Sequence, residues 1–132
     1  MELSDAPLSV QPAGVDPDTL VVHQQDIQAV MNAMWAGGAE AMSVQGKRIS
    51  SRTGIKCVGN TVVVQGVPYA PPYRIQAIGD TKRMKRALER DRTLKTYRDY
   101  VRVYGLGYKV EAKSRIYIPG YDGATDVQSI QR

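Results

Sequence analysis

The chain has 132 residues, of which 42% are hydrophobic and 23% are charged, and its formal net charge is +5. These values are typical of one globular domain that is long enough to bury a substantial core. The single cysteine and the single histidine exclude an internal disulfide, a thiolate metal cluster and a multi-histidine metal site. The sequence has no apolar run near twenty residues and no basic-then-apolar leader, so it predicts neither a membrane span nor a signal peptide within these residues.

The charges are distributed unevenly along the chain. Residues 1–26 contain five acidic residues and no lysine or arginine, whereas residues 81–102 contain nine basic and three acidic residues. Such an asymmetry informs on binding partners rather than on the fold.

The first segment, residues 1–19, contains three prolines and one glycine and has no apolar periodicity. This composition predicts an extended arm or linker, in which residues 2–4 are interpreted as the stub of a strand that begins upstream.

The first helix is predicted over residues 24–37. Its apolar residues recur at the spacing of one helical face, and they are Ile27, Val30, Met31, Met34 and Trp35. Asp26, or an earlier polar residue, is expected to cap the first turn, and Gly37 and Gly38 are expected to end the helix. Residues 41–45 then alternate like a strand, so the pattern predicts a helix that leads into a sheet through a glycine turn.

Several short strands are predicted to follow, at residues 48–50, 55–58, 61–65 and 73–78. Gly59-Asn60 is predicted to be the loop of a hairpin. Sequential strands that are this close can only be antiparallel neighbours. A last strand is predicted over residues 108–118, because small or apolar residues there alternate with charged ones.

Two further helices are predicted between these strands, over residues 81–90 with Asp80 as the N-cap and over residues 93–104 with Gly105 as the end. A single bent helix is the alternative. The sequence thus predicts an α+β fold, a mostly antiparallel sheet with about three helices packed on one face. The predicted domain spans residues 20–119, and residues 120–132 are predicted to be an irregular tail.

The two later helices also carry the clearest candidate binding surface. Their basic residues are candidates for an anionic partner: Lys82, Arg83, Lys85, Arg86, Arg90, Lys95 and Arg98. A solvated helix face is the ordinary interpretation of such a pattern. Anionic lipid headgroups or acidic wall polymers are the alternative partners. Nucleic acid is a further alternative, but exposed aromatic residues that would stack on bases are not evident.

Catalytic chemistry has few candidate residues in this chain. Cys57 and His23 provide one thiol and one base, and Asp26 provides a carboxylate, so a small hydrolytic or ligand-binding module is a rival hypothesis. Cys57, however, falls among apolar strand residues, where a buried thiol is common. We therefore predict no enzymatic activity, no cofactor and no metal.

Three stretches of the chain resemble a bacterial family of unknown function whose Bacillus members are called YlxW and YlxX. They are VVHQQDIQAVMNAMWAGGAEAMSVQGKRI, IKCVGNTVVVQGVPYAPPYRIQAIGD and, as a weaker match, YRDYVRVYGLGYKV. The resemblance implies a parent protein with an N-terminal membrane helix, a coiled-coil spacer and this domain on the extracytoplasmic side of the membrane. It also implies a link to cell division or wall assembly, a homodimer formed through the coiled coil, and no established enzymatic activity.

We therefore expect a non-enzymatic interaction or scaffold domain of a membrane-anchored envelope protein. Its expected partners are envelope or division proteins, anionic lipid or wall polymer, and nucleic acid is not expected.

Overall fold

The computed structural model describes residues 1–7, 14–58 and 61–120, without the side chains of Asp18 and Cys57. Within these residues the helices are α1 (Gln24–Ala36), α2 (Thr81–Arg90) and α3 (Arg92–Tyr104), preceded by a 3-10 helix (Pro17–Leu20). The strands are β1 (Glu2–Ser4), β2 (Ala41–Val44), β3 (Lys47–Ile49), β4 (Ile55–Val58), β5 (Thr61–Val64), β6 (Val67–Tyr69), β7 (Tyr73–Ile78) and β8 (Gly107–Lys109).

The strands form two sheets, and every strand pair between described residues is antiparallel. One sheet has five strands in the order β3-β2-β7-β1-β8, and the other has three strands in the order β4-β5-β6. The predicted α+β class is confirmed. None of the helices in the described residues has the length and apolar character that crossing a bilayer requires.

Helix α1 buries the apolar face that the sequence predicts. Ile27, Val30, Met31 and Met34 are buried, whereas Trp35 is only half-buried. The helix packs against α2, α3, β4 and β7, so it lies at the centre of the core. Burial of each large apolar side chain contributes about 1.5–3 kcal/mol, so this face is a major part of the stability of the fold.

The glycine turn after α1 has a packing role as well as a conformational one. Gly37 is the C-cap, and Gly38 adopts a left-handed conformation with φ of 93°. A Cβ atom added to Gly37 would lie 2.7 Å from the Cα of Met84. The missing side chain of Gly37 therefore allows the backbone of α2 to approach α1 closely.

Helices α2 and α3 are separate, each with its own aspartate N-cap. The carboxylate of Asp80 accepts hydrogen bonds from the backbone N–H groups of Lys82 and Arg83, and that of Asp91 accepts one from Leu94. Asp91 is extended, with ψ of 128°, so the alternative of one bent helix is wrong. Gly105 ends α3 with φ of 82°, as predicted.

The first residues of the chain belong to the sheet. Strand β1 lies between β7 and β8, the side chain of Leu3 is completely buried, and Tyr97 Oη donates to the carbonyl of Ser4 at 3.2 Å. The arm predicted over residues 1–19 therefore begins with a core strand, which is too short to show periodicity in the sequence. Residues 8–13 of the predicted arm, the predicted Gly59-Asn60 hairpin loop and residues 121–132 of the predicted tail lie outside the described residues.

The prediction of one long strand over residues 108–118 is wrong. Strand β8 ends at Lys109, and residues 110–119, here called the crossing segment, form no strand. Arg48 on β3 donates to the carbonyl of Pro119 at 3.2 Å. Because β3 and β8 are the two edges of the five-stranded sheet, the crossing segment runs from one edge to the other. Alternation in the sequence does not suffice for a strand, because a strand also needs a partner backbone.

The crossing segment covers the polar face of this sheet. Arg48 lies opposite Ser43 in the register of β2 and β3, and Ser43 lies opposite Gln76 of β7, so the three side chains share a face. Ser43 is completely buried on that face, and its hydroxyl is 3.5 Å from Gln76 Oε1. The helices pack on the other face, which carries Met42, Val44, Tyr73 and Ile75.

Candidate functional site

The predicted anionic-partner residues lie on the outer sides of α2 and α3. Six of them are exposed, and these are Lys82, Arg83, Lys85, Arg86, Arg90 and Lys95. Met84 and Leu88 of the same stretch turn inward to the core, so the amphipathic pattern leaves the bases to solvent. The structure thus places most of the predicted residues on the outer sides of two consecutive helices.

Arg98 has a structural role within this set. Its guanidinium donates to the carbonyls of Leu88 at 3.2 Å and of Glu89 at 3.0 Å, at the C-terminal end of α2. It also lies 5.7 Å from the centroid of the Tyr108 ring, at a distance typical of a cation–π contact. A cation bound to the last carbonyls of a helix stabilises that helix end. Arg98 therefore joins α2, α3 and β8.

Arg83 is also engaged, although its side chain is exposed. A Cβ atom added to Gly38 would lie 3.0 Å from Arg83 Nη1, so the guanidinium packs against the glycine turn after α1. This contact leaves five exposed bases with no comparable engagement. We call them the basic surface, and they are Lys82, Lys85, Arg86, Arg90 and Lys95. No ion pair joins any of these five to an acidic residue in the parts of the chain that the structure describes.

His23 and Asp26 form the start of α1. Asp26 is buried, and its Oδ2 accepts a hydrogen bond from the backbone N–H of His23 at 2.8 Å. The His23 ring nitrogen Nδ1 lies 3.7 Å from the same oxygen. Burial raises the pKa of the Asp26 carboxyl above its ordinary value, and the contacts with His23 oppose this rise. Asp26 therefore caps α1 from within its first turn, by accepting from the backbone N–H of the N-cap residue His23 and not, as predicted, from the N–H groups of the first turn.

A small groove of about 360 Å³ lies beside this helix start. Tyr97 lines it together with His23 and Asp26, and burial raises the pKa of the Tyr97 phenol well above its ordinary value. The Tyr97 hydroxyl donates to the carbonyl of Gly107 at 2.8 Å, so it holds β8 in place. Cys57 lies on β4 and its side chain is not described, so neither the predicted buried thiol nor the rival hypothesis of a pair with His23 is tested. Among the described residues, no group of three or more acidic, histidine or cysteine side chains could hold a metal ion.

A larger cavity of about 860 Å³, here called the sheet groove, lies between β7, α2 and the crossing segment. Met34, Met84 and Leu88 line it from the helices. Basic residues from the strands, α2 and the crossing segment also line it, and they are Arg74, Lys85, Lys109, Lys113 and Arg115. Among the described residues, Glu2 and Glu111 are the acidic ones that line it, so this lining carries an excess of positive charge.

The positive charge around the groove acts on its acidic residues. Glu2 pairs with Arg74 at 3.5 Å, and Glu111 pairs with Lys109 at 3.0 Å and with Lys113 at 3.9 Å. The hydrogen bond from Lys109, and then the charges of Lys109 and Lys113, lower the pKa of Glu111. Reasoning from sequence missed this groove, because residues 108–118 were predicted to fill the sheet rather than to cross it.

The fold and the site describe an α+β domain with a basic helical surface and a positively charged groove. The chain matches the family described as "Bacterial protein of unknown function (DUF881)" over residues 1–131. It therefore belongs to this family, and the predicted resemblance to the YlxW-like family is confirmed.

Two curated relatives carry the same family relationship. The chain is 32% identical over 105 residues to UPF0749 protein Rv1823 of Mycobacterium tuberculosis, which covers 80% of this chain and 34% of that protein. It is 38% identical over 78 residues to UPF0749 protein YlxW of Bacillus subtilis, which covers 59% of this chain and 33% of that protein. The chain thus spans about a third of the length of the curated relatives it matches.

A solved structure supports the fold. The crystal structure of an uncharacterized conserved protein from Mycobacterium tuberculosis aligns with a TM-score of 0.55 and 22% sequence identity. The alignment covers 80% of this chain and 66% of that chain, and at this identity it indicates a shared fold only.

Proposed function

We propose that this chain is a non-enzymatic interaction domain of a membrane-anchored bacterial envelope protein, on the extracytoplasmic side of the cytoplasmic membrane. The observation that carries the proposal is the basic surface, whose five exposed bases have no acidic partner among the described residues. The family relationship supports a longer parent, since the alignments cover about a third of the curated relatives.

The mechanism of the proposed interaction is electrostatic docking to anionic lipid headgroups. A base near a negatively charged membrane contributes about 1 kcal/mol, and several bases on one surface add to a useful affinity. The attraction is screened by salt, because the Debye length falls from about 30 Å at 0.01 M to about 10 Å at 0.1 M. An anchored domain of this kind would hold envelope or division proteins close to the membrane, and the coiled coil of the parent would make it a homodimer.

The non-enzymatic part of the proposal is supported by the structural hydrogen bonds of the side chains that could otherwise react. Asp26 accepts the His23 N–H at the start of α1, and the Tyr97 hydroxyl is bound to two backbone carbonyls. These groups therefore have structural partners, and we propose that they stabilise the domain instead of transforming a substrate.

Vesicle binding tests the docking proposal. Lys82 and Arg86 are neighbours on one face of α2 and lie outside the sheet groove, so both can be changed to glutamate in one variant, K82E/R86E. We expect this variant to bind phosphatidylglycerol vesicles at least about tenfold more weakly than the wild type. Neither protein should bind phosphatidylcholine vesicles, and binding by the wild type should weaken as salt is raised.

A matched control changes two exposed bases outside the two basic helices. The double variant R52E/K56E alters the same number of charges next to and within β4. We expect it to bind the anionic vesicles within about threefold of the wild type. Equal loss in both double variants would mean that net charge alone drives binding, and undiminished binding by K82E/R86E would remove the basic surface from the proposal.

A further inference from the structure

The small groove beside the start of α1, here called the helix-start groove, has a charge opposite to that of the chain as a whole. It lies between residues 16–26 and residues 93–106, and its described acidic lining residues are Asp16 and Asp26. No lysine or arginine lines it among the described residues, although the net charge of the chain is +5. The groove thus belongs to the acidic part of the chain, residues 1–26, which the proposed docking to lipid does not use.

Asp26 presents to this groove a carboxylate oxygen that has no donor. Its side chain is 9% exposed, and its Oδ2 accepts the N–H of His23 and lies near the His23 ring. Its Oδ1 has no hydrogen-bond donor among the described residues. Within those residues, Trp35 Nε1 is the one fully enclosed polar side-chain atom without a partner, so Oδ1 keeps contact with solvent. Because Asp26 lines the groove, Oδ1 opens into it.

No lysine or arginine of the described residues compensates the charge of this buried carboxylate. Burial is the largest cause that raises the pKa of Asp26, and its contacts with His23 oppose the rise. The charges of Asp26 and Asp5 also raise the pKa of the Tyr97 phenol, so the negative field reaches α3. The N-terminal ends of α1 and α3 each add about half a positive charge, which is less than the charge of two carboxylates. The groove therefore attracts a cation.

The other lining groups fit an ammonium ion on an alkyl stem. An ammonium group has three donors and no acceptor, so it needs several oxygen atoms around it. Thr96 Oγ1 donates to the carbonyl of Arg92 at 3.3 Å, which leaves the lone pairs of its own oxygen available. The Tyr100 ring, which is 39% exposed, lines the groove and can contact a cation or a methylene stem. A metal ion fits less well, because the described residues hold no group of three or more acidic, histidine or cysteine ligands.

We propose that the helix-start groove binds the ammonium group of a primary alkyl amine, with Asp26 Oδ1 as its ionic partner. Thr96 and Asp16 supply further oxygen acceptors, and Tyr100 covers the alkyl stem. The volume of about 360 Å³ accommodates a small amine or the end of one lysine side chain. This inference does not rest on membrane docking, since no residue of the basic surface lines the groove.

Titration of the whole chain with small probes tests the proposal. The cationic probe is pentane-1,5-diamine, and its neutral and anionic counterparts with the same number of carbons are pentane-1,5-diol and glutarate. We expect the diamine to bind with a Kd of about 1 mM or below, and both counterparts to bind at least about tenfold more weakly. Two-dimensional NMR spectra locate the site, and the largest amide shift changes with the diamine are expected at Asp26, Thr96 and Tyr100.

Two variants connect binding to the carboxylates. Asp26→Asn keeps an oxygen that can accept the His23 N–H but removes the charge, so diamine binding should weaken at least about tenfold. Asp16→Asn changes an exposed side chain and should weaken binding about fivefold, so it decides the question even if Asp26→Asn unfolds. The control is Asp99→Asn, which removes an exposed carboxylate of α3 outside the groove and should keep the affinity within about twofold.

A further probe identifies the source of the amine. Nα-acetyl-lysine methylamide carries the same ammonium group on a blocked peptide unit. Binding as tight as that of the diamine supports a lysine side chain of a partner protein, and weaker binding supports a free amine.

Three outcomes would overturn the inference. The first is no binding of the diamine at about 10 mM. The second is binding of glutarate or of the diol that is as tight as binding of the diamine. The third is full affinity for the diamine in both Asp26→Asn and Asp16→Asn, because the carboxylates would then not hold the ammonium group.

Discussion

Strand β2 and the crossing segment show the same alternation in the sequence but have different structures. In β2, Met42 and Val44 are completely buried, and the strand is paired on both sides, with β3 and with β7. The crossing segment alternates as regularly over residues 110–118, yet it forms no strand and holds one buried apolar residue, Ile118.

The difference between these two regions lies in the partner backbone. The glycine turn after α1 delivers β2 directly beside β7, and the tight turn at Gly46 brings β3 back onto its other side. The crossing segment leaves β8 at the edge of the sheet and has no described strand beside it. Alternation therefore predicts which faces an extended segment has, whereas pairing depends on which strand lies next to it.

The largest expected effect is a difference in stability between variants of β2 and variants of the crossing segment. We expect Met42→Ala to reduce the free energy of unfolding by about 2–5 kcal/mol, because it removes a completely buried side chain and leaves a cavity. Ile116→Ala in the crossing segment removes a half-buried side chain and should cost less than about 1 kcal/mol. Urea unfolding measures both values. Equal losses would mean that the crossing segment contributes to the core as much as β2 does.

The sequence predicted the helices well, for reasons that are visible in individual residues. Asp80, Gly37 and Gly105 act within one or two turns of the chain, so their effects can be read locally. The place of β1 between β7 and β8 could not be read in this way, since three residues carry no period. It depends on the pairing of Leu3 with Tyr73 and Tyr108, which are far away in the sequence.

The candidate sites were predicted to different extents. The clustering of bases in the sequence identified the basic surface, because the exposure of bases on an amphipathic helix can be predicted without knowledge of the tertiary structure. It could not show that the guanidinium of Arg98 is bound to the carbonyls of α2, which depends on how two helices pack. The sheet groove was missed altogether, since it exists only because residues 110–119 fail to pair.

A second prediction tests the glycine turn that distinguishes β2 from the crossing segment. We expect Gly37→Ala to lower the free energy of unfolding by about 1–3 kcal/mol, because the new Cβ would lie 2.7 Å from the Cα of Met84. Gly54→Ala is the matched control, since a Cβ there would meet nothing within 4 Å. Thermal or urea unfolding of the two variants gives the comparison. If Gly37→Ala were as stable as Gly54→Ala, close approach of α2 would not be what this glycine provides.

A third prediction concerns Arg98, which binds the C-terminal end of α2 and contacts the Tyr108 ring of β8. We expect Arg98→Gln to cost about 1–2 kcal/mol, because it removes charged hydrogen bonds to two carbonyls of α2 and the contact with the Tyr108 ring. Lys95→Gln on the same helix removes an exposed base and should change stability by less than about 0.5 kcal/mol. The urea midpoints measure the difference, and an Arg98→Gln variant as stable as the Lys95→Gln variant would contradict this role.

The smallest expected effect is a pH dependence of stability at the start of α1, the helix that precedes the paired strand β2. Burial raises the pKa of Asp26 in the folded chain above the ordinary value of 3.8. The folded chain therefore binds this proton more tightly than the unfolded chain does. It follows that the contribution of Asp26 to stability rises as the pH falls through its folded pKa, and that it levels off below about 3.8.

The variant Asp26→Asn removes this titration and keeps an oxygen that can accept the N–H of His23. We therefore expect the stability of the wild type to increase relative to this variant as the pH is lowered from neutrality towards 3.8. Urea unfolding at a series of pH values measures the difference, and Asp99→Asn, which changes an exposed carboxylate on α3, controls for the loss of one charge. A wild type that loses stability relative to Asp26→Asn on acidification would mean that the contacts with His23 outweigh burial. The helix start would then owe its stability to a paired carboxylate, and the sign of the pH dependence would be reversed.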